Sequence, residues 1–172
     1  VSTVAISVAS CSNSTNTIQI QKDNTQIDKI NTVAVANSAF SYDDYATVLK
    51  TYVNDNGLVD YEGLQANREQ LDRFNQSLST VTPDLYNSWS DREKLAFWFN
   101  AYNSLTLQSI IDQQPLTKSI RDISGVWNRR KFEVAGESKT LDNIEHDTLR
   151  KDFNEPRLHV ALVCAAMSCP PL

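Results

Sequence analysis

The stretch from Leu95 to Ile111 constrains the fold of this chain more than any other. It reads "LAFWFNAYNSLTLQSII", with apolar side chains nearly all round a helix drawn through it, and a helix of that kind must be buried. Just before it, Ser90 stands three residues ahead of Glu93 in the form of a capping box. No glycine or proline follows until Pro115. We therefore predict a long central helix beginning after Ser90.

Two amphipathic helices are predicted ahead of this central helix. Ser41 can cap the first one, whose apolar residues recur at helical spacing: Tyr42, Tyr45, Val48, Leu49 and Tyr52. Asn56-Gly57 is a turn signal. The second helix is predicted from Tyr61 to Leu78, with Pro83 in the loop after it, and one side of it carries Leu64, Leu71, Phe74 and Leu78.

A small sheet and a further helix are predicted after the central helix. Residues 131–135 alternate between polar and apolar, and Gly136-Glu137 suggests a hairpin turn into residues 138–141. Asp142 and Glu145 have capping-box spacing for a helix that extends to about Phe153. Leu158 to Val163 is a short apolar run that favours a buried strand. The predicted class is α+β, with N-terminal helices packed on a small, mainly antiparallel sheet.

The first 39 residues have a different character. "VSTVAISVASC" resembles the apolar part of a signal peptide, and Val8 to Cys11 resembles the lipoprotein cleavage box. We predict a signal-peptide remnant at 1–11, lipidation of Cys11, a polar tether over 12–39 and a globular part from Phe40. The protein would then be extracytoplasmic, on the periplasmic side or cell surface, and held to a bacterial membrane by lipid without spanning it. The alternative is a buried strand with an incidental cysteine.

Composition excludes several classes of function. The net charge is −5 and there is no long basic run, so nucleic acid is not an expected partner. With four glycines and no P-loop, G-x-G-x-x-G or G-x-S-x-G motif, no phosphate-cradling loop and no cofactor are predicted.

Thiol and imidazole groups are the candidates for chemistry. The two histidines are His146 and His159, and Cys164 and Cys169 follow them in the chain. A cysteine nucleophile needs a base within hydrogen-bond reach, and either histidine could serve. Three alternatives stay open: a Cys164–Cys169 disulfide, cysteines that only fill space, and a zinc site made by all four residues, for which the C-x4-C spacing is a weak signal.

Two further polar positions could support such a site. Glu145 could orient a histidine, or could bond back to the Asp142 backbone as part of the capping box. Asn100 and Asn103 share one face of the central helix. Buried amides must find partners, so these two are expected to bond to a loop backbone, an imidazole or water.

Five blocks of the sequence, taken together, resemble the family of domain of unknown function 547 over Phe40 to Leu172. They are "GLVDYEGL", "REKLAFWFNAYNSLTLQSII", "SIRDISGVW", "KFEVAGESKTLDNIEHDTLRKDF" and "EPRLHVALVCAAMSCPPL". The resemblance implies an α+β domain of unestablished activity, related to papain- or transglutaminase-like thiol hydrolases. It carries over these motif positions: Asn100, Asn103, Glu145, His146, Arg157, His159, Cys164, Ser168, Cys169 and Pro170.

The resemblance also shapes the functional prediction. Family domains continue past the "SCPPL" block, so the chain is expected to be a fragment at both ends. Plant members resemble "SxP" at Ser168 to Pro170, which favours Cys164 over Cys169 as nucleophile. We predict a thiol-dependent hydrolase or acyl transferase, with a histidine as base and Glu145 or Asn103 as its orienter. The alternatives are a module that binds a peptide or cell-envelope polymer and a disulfide-stabilised redox protein.

Overall fold

Five α-helices precede a short hairpin in the computed structural model, which describes residues 40–153, 161–163 and 165. The α-helices are α1 (Asp43–Tyr52), α2 (Tyr61–Ala66), α3 (Glu69–Ser79), α4 (Pro83–Ser88) and α5 (Asp91–Ile111). A 3-10 turn (Ile120–Asp122), strands β1 (Phe132–Val134) and β2 (Glu137–Lys139) and a π-helix (Asn143–Asp152) follow. The predicted α+β class, with its small antiparallel sheet, is confirmed.

Helix α5 is the predicted central helix. Its capping box is present, because the Ser90 side chain accepts from the Glu93 N–H and the Glu93 carboxylate accepts from the Ser90 N–H. The helix packs against α2, α3 and the π-helix, so most of its circumference is covered. Phe97, Ala101 and Ile111 are completely buried. Among the described residues, no helix is long and apolar enough to cross a membrane.

The single helix predicted over Tyr61 to Leu78 is two helices in the structure. Asn67 ends α2, since both its backbone N–H and its side-chain amide donate to the Gly63 carbonyl. The predicted apolar face is nevertheless confirmed, because Leu64, Leu71, Phe74 and Leu78 are all in the core. The break therefore changes the path of the chain without changing which side faces the core.

The prediction of a loop at Pro83 is wrong, because this proline begins α4. The Thr82 hydroxyl caps the helix by accepting from the Leu85 N–H at 3.2 Å. Proline suits the first helical position, where an N–H would have no intrahelical partner.

The hairpin forms where the alternation predicted it, with the turn one residue earlier. Phe132 pairs with Lys139 and Val134 with Glu137, which leaves Ala135 and Gly136 as the turn. Both have positive φ, 50° and 77°, as a type I′ hairpin turn requires. The Ala135 N–H donates to the Leu78 carbonyl at 2.8 Å, so the hairpin is tied to α3.

The predicted last helix is present, but it is wound as a π-helix. Such helices bond residue i to residue i+5, and the burial pattern follows that spacing, since Ile144 and Leu149 are both fully buried. The predicted strand from Leu158 to Val163 lies partly outside the described residues. Within it, Ala161 is helical and Leu162 and Val163 are irregular, so these three residues do not continue a strand.

Candidate functional site

Asn103 of α5 holds the backbone just ahead of Cys164. Its side-chain oxygen accepts from the Val163 N–H at 2.9 Å, and its side-chain nitrogen donates to the Ala161 carbonyl at 3.0 Å. Leu162, between these two partners, is buried in the core. One amide therefore fixes both ends of a three-residue segment, and the residue that follows the segment in the chain is Cys164.

The backbone on the other side of Cys164 is also constrained. Ala165 has a φ of 56°, in the left-handed region that non-glycine residues seldom enter, and its side chain packs against the core. Ala165 also lines a cavity of about 480 Å³ together with residues 59–62, Ile110 and residues 116–120. The chain passes from a clamped segment to a cavity wall within three residues.

The capping box predicted at Asp142 and Glu145 is wrong, and the cap lies two residues earlier. Asp142 is already helical and its side chain caps nothing. Instead the Thr140 hydroxyl accepts from the Asn143 N–H at 3.1 Å, and the Asn143 side-chain oxygen accepts from the Thr140 N–H at 3.2 Å. Glu145 is thereby left available for other partners.

Those other partners are Tyr102 and Arg150. The Tyr102 hydroxyl donates to Glu145 Oε2 at 3.3 Å, and Arg150 Nη2 donates to Glu145 Oε1 at 2.8 Å. Glu145 and Arg150 are five residues apart, a spacing that the π-helix brings onto one face. Burial first, then the negative charge and hydrogen bond of Glu145, raise the pKa of the Tyr102 phenol above its ordinary value. Tyr102 therefore remains a donor at neutral pH.

The Arg150 guanidinium is incompletely used by these contacts. Its Nε–H is buried and has no acceptor among the described residues. A buried donor without a partner costs free energy, so its presence in a native core calls for an explanation such as a functional role or a bound water or ion. We define the Glu145 cluster as Tyr102, Glu145 and Arg150.

His146 stands next to Glu145 in the chain but lies outside this cluster. Its side chain is exposed, and adjacent helical residues do not face each other. The structure thus brings Glu145 to Tyr102 and Arg150. It brings Asn103 to the backbone of Ala161 and Val163, and a backbone partner is one of the kinds expected for these amides.

Asn100 is half-buried on α5, and the other predicted site residues lie outside the described residues: Cys11, Arg157, His159, Cys164, Ser168, Cys169 and Pro170. The Cys164–Cys169 disulfide and the four-residue zinc site therefore stay predictions. In the part of the chain that the structure describes, no group of three or more His, Cys, Asp or Glu residues is placed to hold a metal ion.

A second charged cluster lies at the C-terminal end of α5. The Asp112 carboxylate accepts from Arg68, Arg130 and Gln108. Burial alone would raise the pKa of this carboxyl, but the hydrogen bonds from the three donors outweigh burial and hold the pKa below its ordinary value. We call this group the Asp112 joint, since it connects α5 to the start of α3 and to the segment before β1.

Sequence reasoning missed Tyr102 and Arg150. Tyr102 lies in the apolar circumference of the predicted central helix, a pattern that accounts for its buried ring but gives no partner for its hydroxyl. Arg150 gave no signal, because a residue five positions from Glu145 would lie on another face of an α-helix. Only the π-helical winding, which the sequence did not reveal, puts the two side chains together.

Comparison with known proteins addresses the family of the chain. No curated protein matches the chain, and no solved structure does. The model of the family described as "Protein of unknown function, DUF547" matches residues 86–172, half of the chain. This match includes α5, the hairpin, the π-helix and the 161–163 segment that Asn103 holds. The chain belongs to the DUF547 family.

Proposed function

We propose that this protein is a thiol-dependent hydrolase or acyl transferase that uses Cys164 as its nucleophile. The observation that carries the proposal is the restraint on both sides of Cys164: Asn103 holds Ala161 and Val163, and Ala165 is packed against the core beside a cavity. A nucleophile must be held in a productive geometry, and a backbone restrained before and after Cys164 is suited to that requirement.

The proposed reaction follows ordinary thiol chemistry. The Cys164 thiol gives its proton to the imidazole of His159 or His146, and the thiolate sulfur bonds to the acyl carbon of the substrate. The bond to the leaving group breaks, and the leaving group takes the proton from the imidazolium. Water or another acceptor then attacks the thioester and releases the acyl group. Asn103 is a positioning residue in this scheme.

The rate of thiol alkylation as a function of pH tests the proposal. Iodoacetamide labelling of the full chain, followed by peptide mass spectrometry, should show Cys164 reacting below pH 7, because an activated thiol has a pKa below about 8.5. His159→Ala and His146→Ala variants identify the base by restoring an ordinary pH profile. Cys169→Ser is the matched control and should leave the Cys164 profile unchanged.

Two results would refute the enzyme. The first is a native Cys164–Cys169 disulfide, seen as masses that change only with reductant. The second is an ordinary thiol pH profile for Cys164 that neither histidine variant alters.

Asn103 variants separate positioning from general stability. Asn103→Ala removes both clamping bonds, and Asn103→Asp removes only the donor to Ala161. We expect slower labelling of Cys164 in both variants, with the larger effect in the alanine variant. If the labelling rate stays the same while the unfolding midpoint drops, the clamp has a structural role only.

A non-catalytic binding module is the second candidate. It is favoured by the position of Glu145, which bonds to Tyr102 and Arg150 instead of orienting the exposed His146. Such a module would bind a peptide or cell-envelope polymer in the cavity and show an unreactive Cys164.

The proposed location is outside the cytosol, with a lipid on Cys11. It rests on the sequence from Val8 to Cys11 and the polar stretch after it. Metabolic labelling with an alkyne fatty acid should mark the full-length protein in bacteria and should not mark a Cys11→Ser variant. Equal labelling of both would contradict the lipoprotein assignment.

A further inference from the structure

Two segments of opposite charge line the cavity beside Ala165, and we call them its walls. One wall includes Asp60, Tyr61 and Glu62, and the other is the 116–120 segment, which includes Lys118. Glu62 and Lys118 are both exposed. The ion pairs formed between described residues involve neither of them. Each therefore presents a charge that is not neutralised by a neighbour in the described part of the chain.

Three other polar side chains of these walls, those of Asp60, Thr117 and Ser119, are already engaged in local structure. Asp60 Oδ1 accepts from the Gly63 N–H at 2.9 Å. Thr117 donates to the Ser119 carbonyl at 3.1 Å, and the Ser119 hydroxyl accepts from the Arg121 N–H at 3.3 Å. These bonds stiffen the segment on both sides of Lys118. Asp60 keeps its charge but is bonded into the start of α2, whereas Glu62 and Lys118 carry charges that have no hydrogen-bond partner among the described residues.

The rest of the lining is apolar and the size is that of a small-molecule site. Val59, Ile110, Leu116 and Ile120 contribute hydrocarbon to a volume of about 480 Å³. Ligand cavities of about 300–1,000 Å³ are typically apolar with a few polar groups that fix orientation. A ligand that fills this cavity would need an apolar body with a positive group near one wall and a negative group near the other.

We propose that this cavity binds a short peptide with free termini, its ammonium facing Glu62 and its carboxylate facing Lys118. The inference deepens the proposed function, on which it rests for its link to Cys164: a ligand in this cavity lies against Ala165, the residue that follows the nucleophile. The substrate class would then be short peptides with apolar side chains.

Binding of leucyl-alanine to the Cys164→Ser variant tests the site without turnover. Titration followed by amide chemical shifts should show saturable changes in residues 60–62, 116–120 and 165. N-acetylation of the dipeptide, or amidation of its carboxyl group, should each weaken binding about two- to fivefold, the range of an exposed charge pair.

Variants assign each terminus to its wall. The Glu62→Gln variant should bind leucyl-alanine more weakly, and N-acetylation of the dipeptide should weaken its binding no further. The Lys118→Gln variant should also bind leucyl-alanine more weakly, and amidation of the dipeptide should weaken its binding no further. Glu69→Gln and Lys50→Gln remove exposed charges outside the lining and should leave binding unchanged.

The outcomes separate this inference from the proposed enzyme. The peptide site would be overturned if high concentrations of the dipeptide cause no chemical-shift changes in the cavity residues. It would also be overturned if the Glu62 and Lys118 variants lose the same affinity on N-acetylation as on amidation of the dipeptide. Binding with the expected pattern and an unreactive Cys164 in the wild type would support the site and refute the enzyme.

Discussion

Asp112 and Glu145 are carboxylates that contact the same helix and are used very differently. Their side chains are 25% and 22% exposed, so burial does not distinguish them. Asp112 accepts from two arginines and a glutamine, whose positions belong to three parts of the fold. Glu145 accepts from Tyr102 and from Arg150 of its own helix.

The difference lies in how completely the donors are used. Two guanidinium groups balance the charge of Asp112, and no arginine of that joint appears among the buried groups without a partner in the described residues. Arg150 keeps a buried N–H with no described acceptor. A fully paired charge cluster such as the Asp112 joint serves to hold elements together. The Glu145 cluster still has a donor, the Arg150 Nε–H, that could bond to a further acceptor.

The largest expected effect is from Asp112→Ala. Removing Asp112 leaves the charges of Arg68 and Arg130 uncompensated, and because these side chains are only half-buried the cost stays below that of a fully buried pair, so we expect about 2–3 kcal/mol less unfolding free energy by urea denaturation. Asp72→Ala is the matched control, since Asp72 also pairs with Arg68 but is 44% exposed, and it should cost no more than about 1 kcal/mol.

Acid should weaken the Asp112 joint specifically. Its lowered pKa contributes stability that is present above the unfolded-state value of about 3.9 and is lost as pH falls through the folded-state value. Asp112→Ala should therefore flatten the acid limb of the stability curve. An equal loss of stability in Glu145→Ala would remove the distinction between the two clusters.

High pH should destabilise the Glu145 cluster, because the Tyr102 hydroxyl that donates to Glu145 can lose its proton. Burial raises the pKa of Tyr102 and of Tyr45, and burial followed by the charge of Glu93 raises that of Tyr42 to about 12. Stability is then complete below pH 10, the unfolded-state pKa, and falls as pH rises through the folded-state values. Each such tyrosine contributes up to about 1.4 kcal/mol per pH unit.

Urea midpoints at pH 9, 10 and 11 measure this effect. Tyr102→Phe should reduce the fall of stability with pH by the contribution of about one tyrosine. Tyrosinate absorbance should rise at a higher pH in the folded protein than in the unfolded protein. Native tyrosines that all ionise near pH 10 would contradict the burial of their hydroxyls.

A double-mutant cycle measures the Tyr102–Glu145 bond directly. Tyr102→Phe, Glu145→Gln and the double variant should give a coupling energy of about 1 kcal/mol, modest because the bond is 3.3 Å long. Additive losses within error would mean that the two side chains pack together without a productive hydrogen bond.

The smallest expected effect distinguishes the two helix caps. Thr140→Ala removes the observed cap and should cost about 1 kcal/mol, whereas Asp142→Ala should stay within about 0.5 kcal/mol of wild type. The reverse order would restore the capping box at Asp142 and Glu145, and with it a structural role for Glu145. Thermal or urea unfolding measures both variants.

Helix α5 was predictable because its signals are local. An apolar circumference and a capping box lie within one stretch of sequence, and no distant residue has to be known. The break at Asn67 and Arg68 was not predictable in the same way, since Arg68 bonds to Asp112, which is 44 residues away.

In the candidate site, too, local features could be predicted from the sequence and distant partners could not. Asn103 could be found because an amide on an apolar helix must have a partner, although the sequence did not identify the Ala161–Val163 backbone as that partner. Glu145 fitted a capping box in sequence, but Thr140 and Asn143 compete for the same helix start, and Tyr102 and Arg150 engage the freed carboxylate. The roles of Cys164 and His159 stay predictions.

The side chain of Asn103 has one further consequence. It offers the 161–163 segment a carbonyl and an N–H side by side, as a peptide group in a neighbouring strand would. The segment therefore makes with helix α5 the kind of hydrogen-bond pair that a backbone segment makes with the edge strand of a sheet. A strand ladder is released bond by bond, whereas a single turn of the Asn103 side chain would release both bonds at once.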